Sequence, residues 1–171
     1  MEVYEAIRLR KAVRSYQDRP VEKDKLERVL GGARLAPSAR NMQEWRFVVV
    51  SDRATREALR QTANNQAFVA EAPIVIACCA AASDHVMRCG QPSYPIDVAL
   101  ATDHLSLAAV AEGLGTCWIG AFDEGEARRV LGIPSSVRVV GLMTLGYPTD
   151  PSPVTKNRLS LQEIVRYERW A

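Results

Sequence analysis

Residues Asp97–Gly120 read DVALATDHLSLAAVAEGLGTCWIG. In the first sixteen of these positions apolar and small residues fall nearly all round a helical wheel, with few polar interruptions. A helix over Asp97–Glu112 with no broad polar face has to be buried, either in a core or in a subunit interface. Gly113 is its expected stop, because glycine takes the left-handed backbone that follows a last helical turn. Gly113–Phe122 then forms a tight helix-to-strand turn whose small residues let backbone approach a flat ligand. Gly113-Leu114-Gly115 also looks like the opening of a dinucleotide fingerprint. The third glycine is missing, however, and a helix precedes the turn while a strand follows it. That is the reverse of the Rossmann arrangement, so the segment is not an NAD loop.

Working outward, Leu26, Val29, Leu30 and Ala33 recur at helical spacing and predict an amphipathic helix over about Val21–Leu35. Trp45–Val50, Pro73–Ala82 and Val137–Leu145 are apolar runs of strand length, and such continuous runs point to strands covered on both faces. Asp123 with Glu126 and Ser160 with Glu163 have the spacing of helix-starting capping boxes. The coarse order is helix, helix, strand, helix, strand, long helix, strand, helix, strand, tail, helix. With no repeat, low-complexity tract or linker, this predicts a single α+β domain over residues 1–171. The Pro-containing stretch between Gly146 and Arg158 has little periodicity, so it is expected to wrap the surface or reach a partner chain.

Composition narrows the function classes. The 171 residues are 47% hydrophobic and 25% charged, with a net charge of +2. That is ordinary for a soluble domain and gives no reason to expect nucleic acid. Met1–Tyr16 is charged and lacks the apolar core of a signal peptide. The longest apolar run, Ala72–Ala82, falls short of the roughly 20 residues that span a bilayer. The expectation is a cytoplasmic protein that does not bind membranes. Cys78, Cys79, Cys89 and Cys117 form no CxxC pair, and Cys78 and Cys79 should face opposite sides of a strand as small apolar fillers. His85 with Cys89 is too small a ligand set for structural zinc, so no metal is expected. His104, on the buried helix, is expected to be a core residue.

Hydrolase and NTPase signatures (GxSxG, HExxH and the phosphate-binding P-loop) are absent. Four weaker segments remain. Arg10-Lys11-Ala12-Val13-Arg14 places three cations in five residues. Pro37–Trp45 is a turn full of amides and hydroxyls. Gly113–Phe122 is the small-residue turn already described, and Lys156-Asn157-Arg158 is a second cationic cluster. Taken singly they read as a solvated charge run, an ordinary loop, a plain connection and a solvated tail.

Taken in order they resemble the FMN-dependent nitroreductase family, over nearly the whole chain. That family carries a basic element near the N-terminus, a Pro-Ser…Asn…Gln-Pro-Trp element, a Gly-Leu-Gly…Trp-Ile-Gly segment and a late Lys-x-Arg. Here these are Arg10–Arg14; Pro37-Ser38 with Asn41, Gln43 and Trp45; Gly113–Gly120; and Lys156 with Arg158. Two positions depart. Ala12 stands where the family has Ser, which removes a hydroxyl contact. Glu44 stands where Pro is common, from which a less rigid loop with a more acidic mouth is expected.

The resemblance implies a nitroreductase fold with a central mixed sheet flanked by helices. It implies a homodimer that buries the long helix and exchanges terminal segments. FMN is the implied cofactor, held at the subunit interface. Arg10, Lys11, Lys156 and Arg158 would cage its phosphate, a charge-assisted arrangement suited to a dianion. Arg14 and Asn65 would contact the pyrimidine edge of the ring. Pro37, Ser38 and Asn41 would come from the second subunit. Ala12, Trp118, Ile119, Gly120 and Ala121 complete the implied contacts, with the Gly120 N–H near flavin N5. The protein supplies no catalytic side chain in this scheme, because the cofactor carries the redox chemistry. The implied activity is ping-pong reduction of nitroaromatics, quinones or a related acceptor by NADH or NADPH. The family also holds dehalogenating, flavin-converting and azoline-dehydrogenating members and purely flavin-binding proteins. No long insertion here supplies a dehalogenase-type lid. The residues between Met87 and Tyr94 and near Phe122, where the family builds acceptor pockets, carry no recognisable signature.

Overall fold

The computed structural model describes residues 1–170. Its helices are α1 (Val3–Leu9), α2 (Lys23–Arg34), α3 (Arg53–Thr62), α4 (Phe68–Glu71), α5 (Tyr94–Ala111), α6 (Glu124–Leu131) and α7 (Leu161–Ile164). Its strands are β1 (Trp45–Val50), β2 (Ile74–Ala80), β3 (Gly115–Ile119) and β4 (Arg138–Gly146), in the spatial order β1-β2-β4-β3. All three strand ladders are antiparallel. The expected mixed sheet is therefore corrected. Its parallel character is confined to one isolated bridge, where Ala12 lies beside Thr116 on the outer edge of β3.

β2 explains its own composition. Every residue of it is buried, because helices cover both faces of the sheet. Val75, Ala77 and Cys79 pack with Leu59, Phe68, Val69, Ala127 and Leu142 on the side of α3, α4 and α6. Ile74, Ile76, Cys78 and Ala80 pack with Val29, Ala33, Val98, Ala101 and Leu105 on the side of α2 and α5. Cys78 and Cys79 thus sit in opposite layers, as strand alternation requires. Burial pushes their thiols up, to about 12 and about 11 respectively, so both act as apolar fillers. The pairing slips between them: Cys78 opposes Gly141 and Cys79 opposes Val139. The extra residue on β4, Val140, is a bulge that swaps the faces of β4. Hence Leu142 and Val139 share one layer while Met143 and Val140 share the other.

α5 buries Val98, Ala101, Leu105 and Ala109 against the sheet. Gly113 ends it at φ 74°, the left-handed stop expected from sequence. The opposite side of α5 leaves Ile96 and Leu100 exposed. His104 is half-buried, not a core residue. Asp123 caps α6 by accepting the Glu126 N–H at 2.8 Å, and Ser160 with Glu163 forms a reciprocal capping box on α7.

Candidate functional site

The residues Arg10–Tyr16 leave α1 and run along the free edge of β3. The Val13 N–H donates to the Thr116 carbonyl at 2.9 Å, and Val13 is buried while Ala12 and Arg14 point outward. The segment is locked at its far end by Tyr16, whose buried hydroxyl lies 2.7 Å from the Val13 carbonyl and 2.6 Å from Thr144 Oγ1. Burial raises the Tyr16 pKa well above the ordinary phenol range, so it stays a neutral tether.

This edge collects the cations. Lys156, from the tail, donates to the Ile7 carbonyl at 2.6 Å. Its ammonium is held below the usual lysine range, by burial first and then by the neighbouring charges of Arg10 and Arg158. Those three cations therefore share one locality. None of Arg10, Arg14, Lys156 and Arg158 forms a salt bridge among the described residues. The Lys11 ammonium donates to the carbonyls of Asp150 (2.9 Å) and Ser152 (2.6 Å), which pins the tail to the domain and leaves one of its three N–H donors.

Arg14 stacks its guanidinium 6.0 Å from the Phe68 ring centre. Asn65 lies three residues earlier, exposed, in the left-handed turn that follows α3. The Asp123 N–H donates to the Thr62 carbonyl at 2.8 Å, which ties the end of α3 to the turn after β3. Arg14, the 65–68 turn and residues 120–123 thus converge on one margin of the sheet.

Trp118 is the outward residue of β3, 41% exposed. Its ring lies across Gly141 so closely that a Cβ there would stand 2.6 Å from the indole, so β4 must carry glycine at this point. Beside it a cavity of about 250 Å³ is lined by Arg10, Thr102, Asp103, Thr116, Trp118 and Met143. Ile119 is buried, whereas Gly120 and Ala121 lie exposed just past the strand end.

Pro37, Ser38 and Asn41 occupy a separate place. They lie in the loop between α2 and β1, anchored where the Ala39 N–H meets the Asp97 carboxylate at 3.1 and 3.2 Å. No hydrogen bond or ion pair among the described residues connects them to the cationic edge of the same chain. The loop backbone is unusual: Arg40, Asn41 and Gln43 all have φ between 51° and 56°. Sequence reasoning missed this, since none of the three is glycine. It also misplaced Glu44, which is 4% exposed and lies beneath the loop, not at its mouth. A carboxylate in place of proline was the available signal, but its direction depends on the α5 start packing over it.

The chain is similar to known proteins over most of its length. The sequence model described as Nitroreductase family matches residues 7–82 and 59–147. A putative NADH dehydrogenase/NAD(P)H nitroreductase of Archaeoglobus fulgidus is 33% identical, over 99% of this chain and 99% of the relative. A 5,6-dimethylbenzimidazole synthase of Rhodospirillum rubrum is 30% identical, over 85% and 81%. An FMN reductase (NAD(P)H) of Bacillus subtilis is 28% identical, over 98% and 73%. The crystal structure of a nitroreductase family protein from Clostridium difficile 630 superposes with a TM-score of 0.88 at 32% identity, covering 99% of this chain and all of the other. With matches spanning both the cationic edge and the sheet that carries it, the chain belongs to the nitroreductase family.

Proposed function

We propose that the protein is an FMN-dependent oxidoreductase that passes electrons from NAD(P)H to a small acceptor such as a nitroaromatic or quinone. One observation carries this reading: Arg10, Lys156 and Arg158 neighbour one another beside the β3 edge, and none of them forms a salt bridge among the described residues. Like charges so placed repel one another and call for a multiply charged anion, which the phosphate of FMN supplies. The donor set therefore fits FMN. When bound, FMN supplies hydride-type two-electron chemistry, which this chain's own residues do not provide. Arg10, Lys156 and Arg158 hold the phosphate. Arg14, steadied on Phe68, offers a cation to the polar edge of the ring. The backbone of residues 118–121 lies alongside it, and a Gly120 N–H presented to the reacting edge would stabilise developing negative charge.

The second half of the reading is a homodimer. Val3, Tyr4 and Ile7 of α1, Ile96 and Leu100 of α5, and Leu161, Ile164, Tyr167 and Trp170 of the tail are all exposed apolar side chains. Together they form far more unburied apolar surface than isolated exposed residues would. A second copy covers it, and Pro37, Ser38 and Asn41 then serve the partner's flavin, which accounts for their separation from the cationic edge. Among the described residues no helix is long and apolar enough to cross a membrane.

The test is the absorbance of purified protein before and after anaerobic NADH. Flavin bands that bleach are expected; a protein that takes up no FMN on reconstitution would refute the reading. The Lys156→Ala/Arg158→Ala double variant should lose flavin, and full flavin occupancy in that variant would remove the cage assignment. A second reading rests on the R. rubrum relative: consumption of reduced FMN in place of acceptor reduction. Loss of FMN itself under aerobic turnover would select it.

A further inference from the structure

The cavity beside Trp118 lies between two parts of the flavin site proposed above. Arg10, from the cationic cage, lines it, and so does Trp118, where the strip 118–121 begins. Its volume is about 250 Å³. Its polar wall comes from Thr102, Asp103 and Ser106 of α5 and from Thr116 of β3. None of the residues that the family resemblance assigns to the cofactor lies on α5, so this wall has no role in the reading so far.

The polar groups of that wall are unequally engaged. The Thr102 hydroxyl donates to the Val98 carbonyl at 2.7 Å, and the Ser106 hydroxyl donates to the Asp103 carbonyl at 2.8 Å. Both donors are thus used inside α5. The Asp103 carboxylate forms no salt bridge among the described residues, and neither does the Arg10 guanidinium. An acid and a cation therefore line one cavity without closing on each other. A carboxylate only accepts hydrogen bonds, and a guanidinium only donates them. A ligand that spans the two needs hydroxyl donors along its length and an anion at one end. A chain of hydroxyl groups that ends in phosphate has this order, and the acid repels the phosphate toward the cations. Ile96, Leu100 and Asp103 also follow one another at helical spacing, and all three are exposed. The cavity therefore opens beside the face that the second copy of the proposed dimer covers, which shields its hydrogen bonds from water.

We propose that this cavity seats the ribityl chain of FMN and that Asp103 accepts hydrogen bonds from its hydroxyl groups. The proposal deepens the FMN reading above and rests on it. Arg10, Lys156 and Arg158 hold the phosphate end, and Asp103 fixes the chain that follows. The order of charge along the cavity sets the direction in which the flavin lies, with its phosphate toward Arg10 and its ring toward the end of β3. Asp103 meets the cofactor only through the ribityl chain, so it binds FMN and takes no part in electron transfer.

The experiment compares the affinity of apoprotein for FMN and for riboflavin, which has the same ring and ribityl chain but no phosphate. Flavin fluorescence follows binding to wild type, Asp103→Ala, Asp103→Asn and Arg10→Ala. Asp103→Ala should weaken riboflavin roughly ten- to a hundredfold, the range for hydrogen bonds to a charged group. It should weaken FMN by the same factor or less, because it also removes repulsion of the phosphate. Asp103→Asn, whose amide oxygen still accepts, should recover part of the loss. Arg10→Ala should weaken FMN and leave riboflavin unchanged. Asp103 is exposed, so both of its variants should fold; if Asp103→Ala does not, Asp103→Asn carries the test with a smaller loss of riboflavin. Unchanged riboflavin affinity in the Asp103 variants overturns the proposal, and so does a wild type that binds FMN but no riboflavin. A monomeric mass for Asp103→Ala in light scattering also overturns it, because the acid then serves the subunit contact. Failure of wild type to bind either flavin refutes the underlying FMN reading; FMN binding indifferent to Asp103 refutes the ribityl seat alone.

Discussion

β2 and the segment after residue 150 are both rich in apolar residues, yet they meet opposite fates. All seven residues of β2 are buried, whereas Leu159, Leu161, Ile164, Tyr167 and Trp170 in the tail are each at least 60% exposed. β2 is covered by helices of its own chain on both faces. The tail is tied down only near its start, by Lys11 on Asp150 and Ser152 and by Lys156 on Ile7. Hydrophobicity alone therefore does not place a residue in the core of this chain. β2 stabilises the fold, while the tail carries apolar surface that becomes favourable only on a second surface. The candidate site lies on the β3 edge, with cations contributed by the segment after α1 and by the tail.

The largest expected effect separates the two regimes outright. Removing residue 159 onward should leave the circular dichroism of the domain intact and abolish the dimer, seen as a monomeric mass in light scattering. Loss of the folded spectrum instead would mean that the tail is core after all, and the contrast with β2 would collapse. Within the sheet, Leu142→Ala tests the other half. Leu142 is fully buried and pairs with both Ala77 and Ile119. The cavity should cost about 2–5 kcal/mol in denaturant unfolding. The truncated chain is the better background, because the dimer proposed above would otherwise add to apparent stability by mass action.

How much of this was legible in the sequence follows the same division. β1 falls at its expected bounds, and β2, β4 and α5 within a few residues of theirs, because each has an unbroken hydrophobic signal and clear punctuation at its ends. The Arg10–Arg14 run and the Lys156–Arg158 cluster meet along the β3 edge, through the Lys156 bond to the Ile7 carbonyl, while the 37–45 segment lies apart from them on Asp97. What was not legible depends on partners distant in the chain. Lys11 reads like Arg10 until the tail carbonyls take its ammonium. Glu44 reads as a surface acid until Ser93 and Asp97 cover it. The expectation of a mixed sheet rests only on the family resemblance, because strand direction leaves no mark in a hydrophobic pattern, and all three ladders are antiparallel. The left-handed backbone of Arg40, Asn41 and Gln43 carries no glycine to announce it.

A smaller effect probes the tether between edge and core. The Tyr16 hydroxyl donates to the Val13 carbonyl, so the Thr144 hydroxyl supplies the proton in their 2.6 Å contact. Thr144→Val keeps the shape and removes that proton, at an expected cost of about 1 kcal/mol. Tyr16→Phe should cost more, about 1–3 kcal/mol, because it leaves the Val13 carbonyl without its hydroxyl donor in a buried place, while the Thr144 hydroxyl keeps only the Cys117 carbonyl at 3.4 Å. Equal costs for the two variants would show that the Val13 contact contributes nothing, and that the edge segment is held by Val13 packing alone.

The smallest expected effect lies on the exposed fringe, where Glu22 joins the start of α2 to Tyr147 just past β4. Tyr147 donates its hydroxyl to Glu22 Oε2 at 2.6 Å, and Arg19 approaches Oε1 at 2.7 Å. The Tyr147 hydrogen bond first, and then backbone and Arg19 contacts, hold the Glu22 carboxyl down to about 2 from its ordinary 4.5. A carboxyl depressed on folding favours the native state above its unfolded value. Its contribution is thus complete above about 4.5 and fades as pH falls toward about 2. Glu22→Gln should flatten this part of the acid limb of stability against pH while leaving the neutral-pH core response to Leu142→Ala unchanged. Because the Arg19–Glu22 ion pair is solvent-exposed, added salt should remove its share of the difference between wild type and variant and leave the share that comes from the Tyr147 hydroxyl. A difference abolished by salt would instead show that the Tyr147 hydrogen bond contributes nothing, and that Glu22 belongs wholly to the exposed fringe with Arg19.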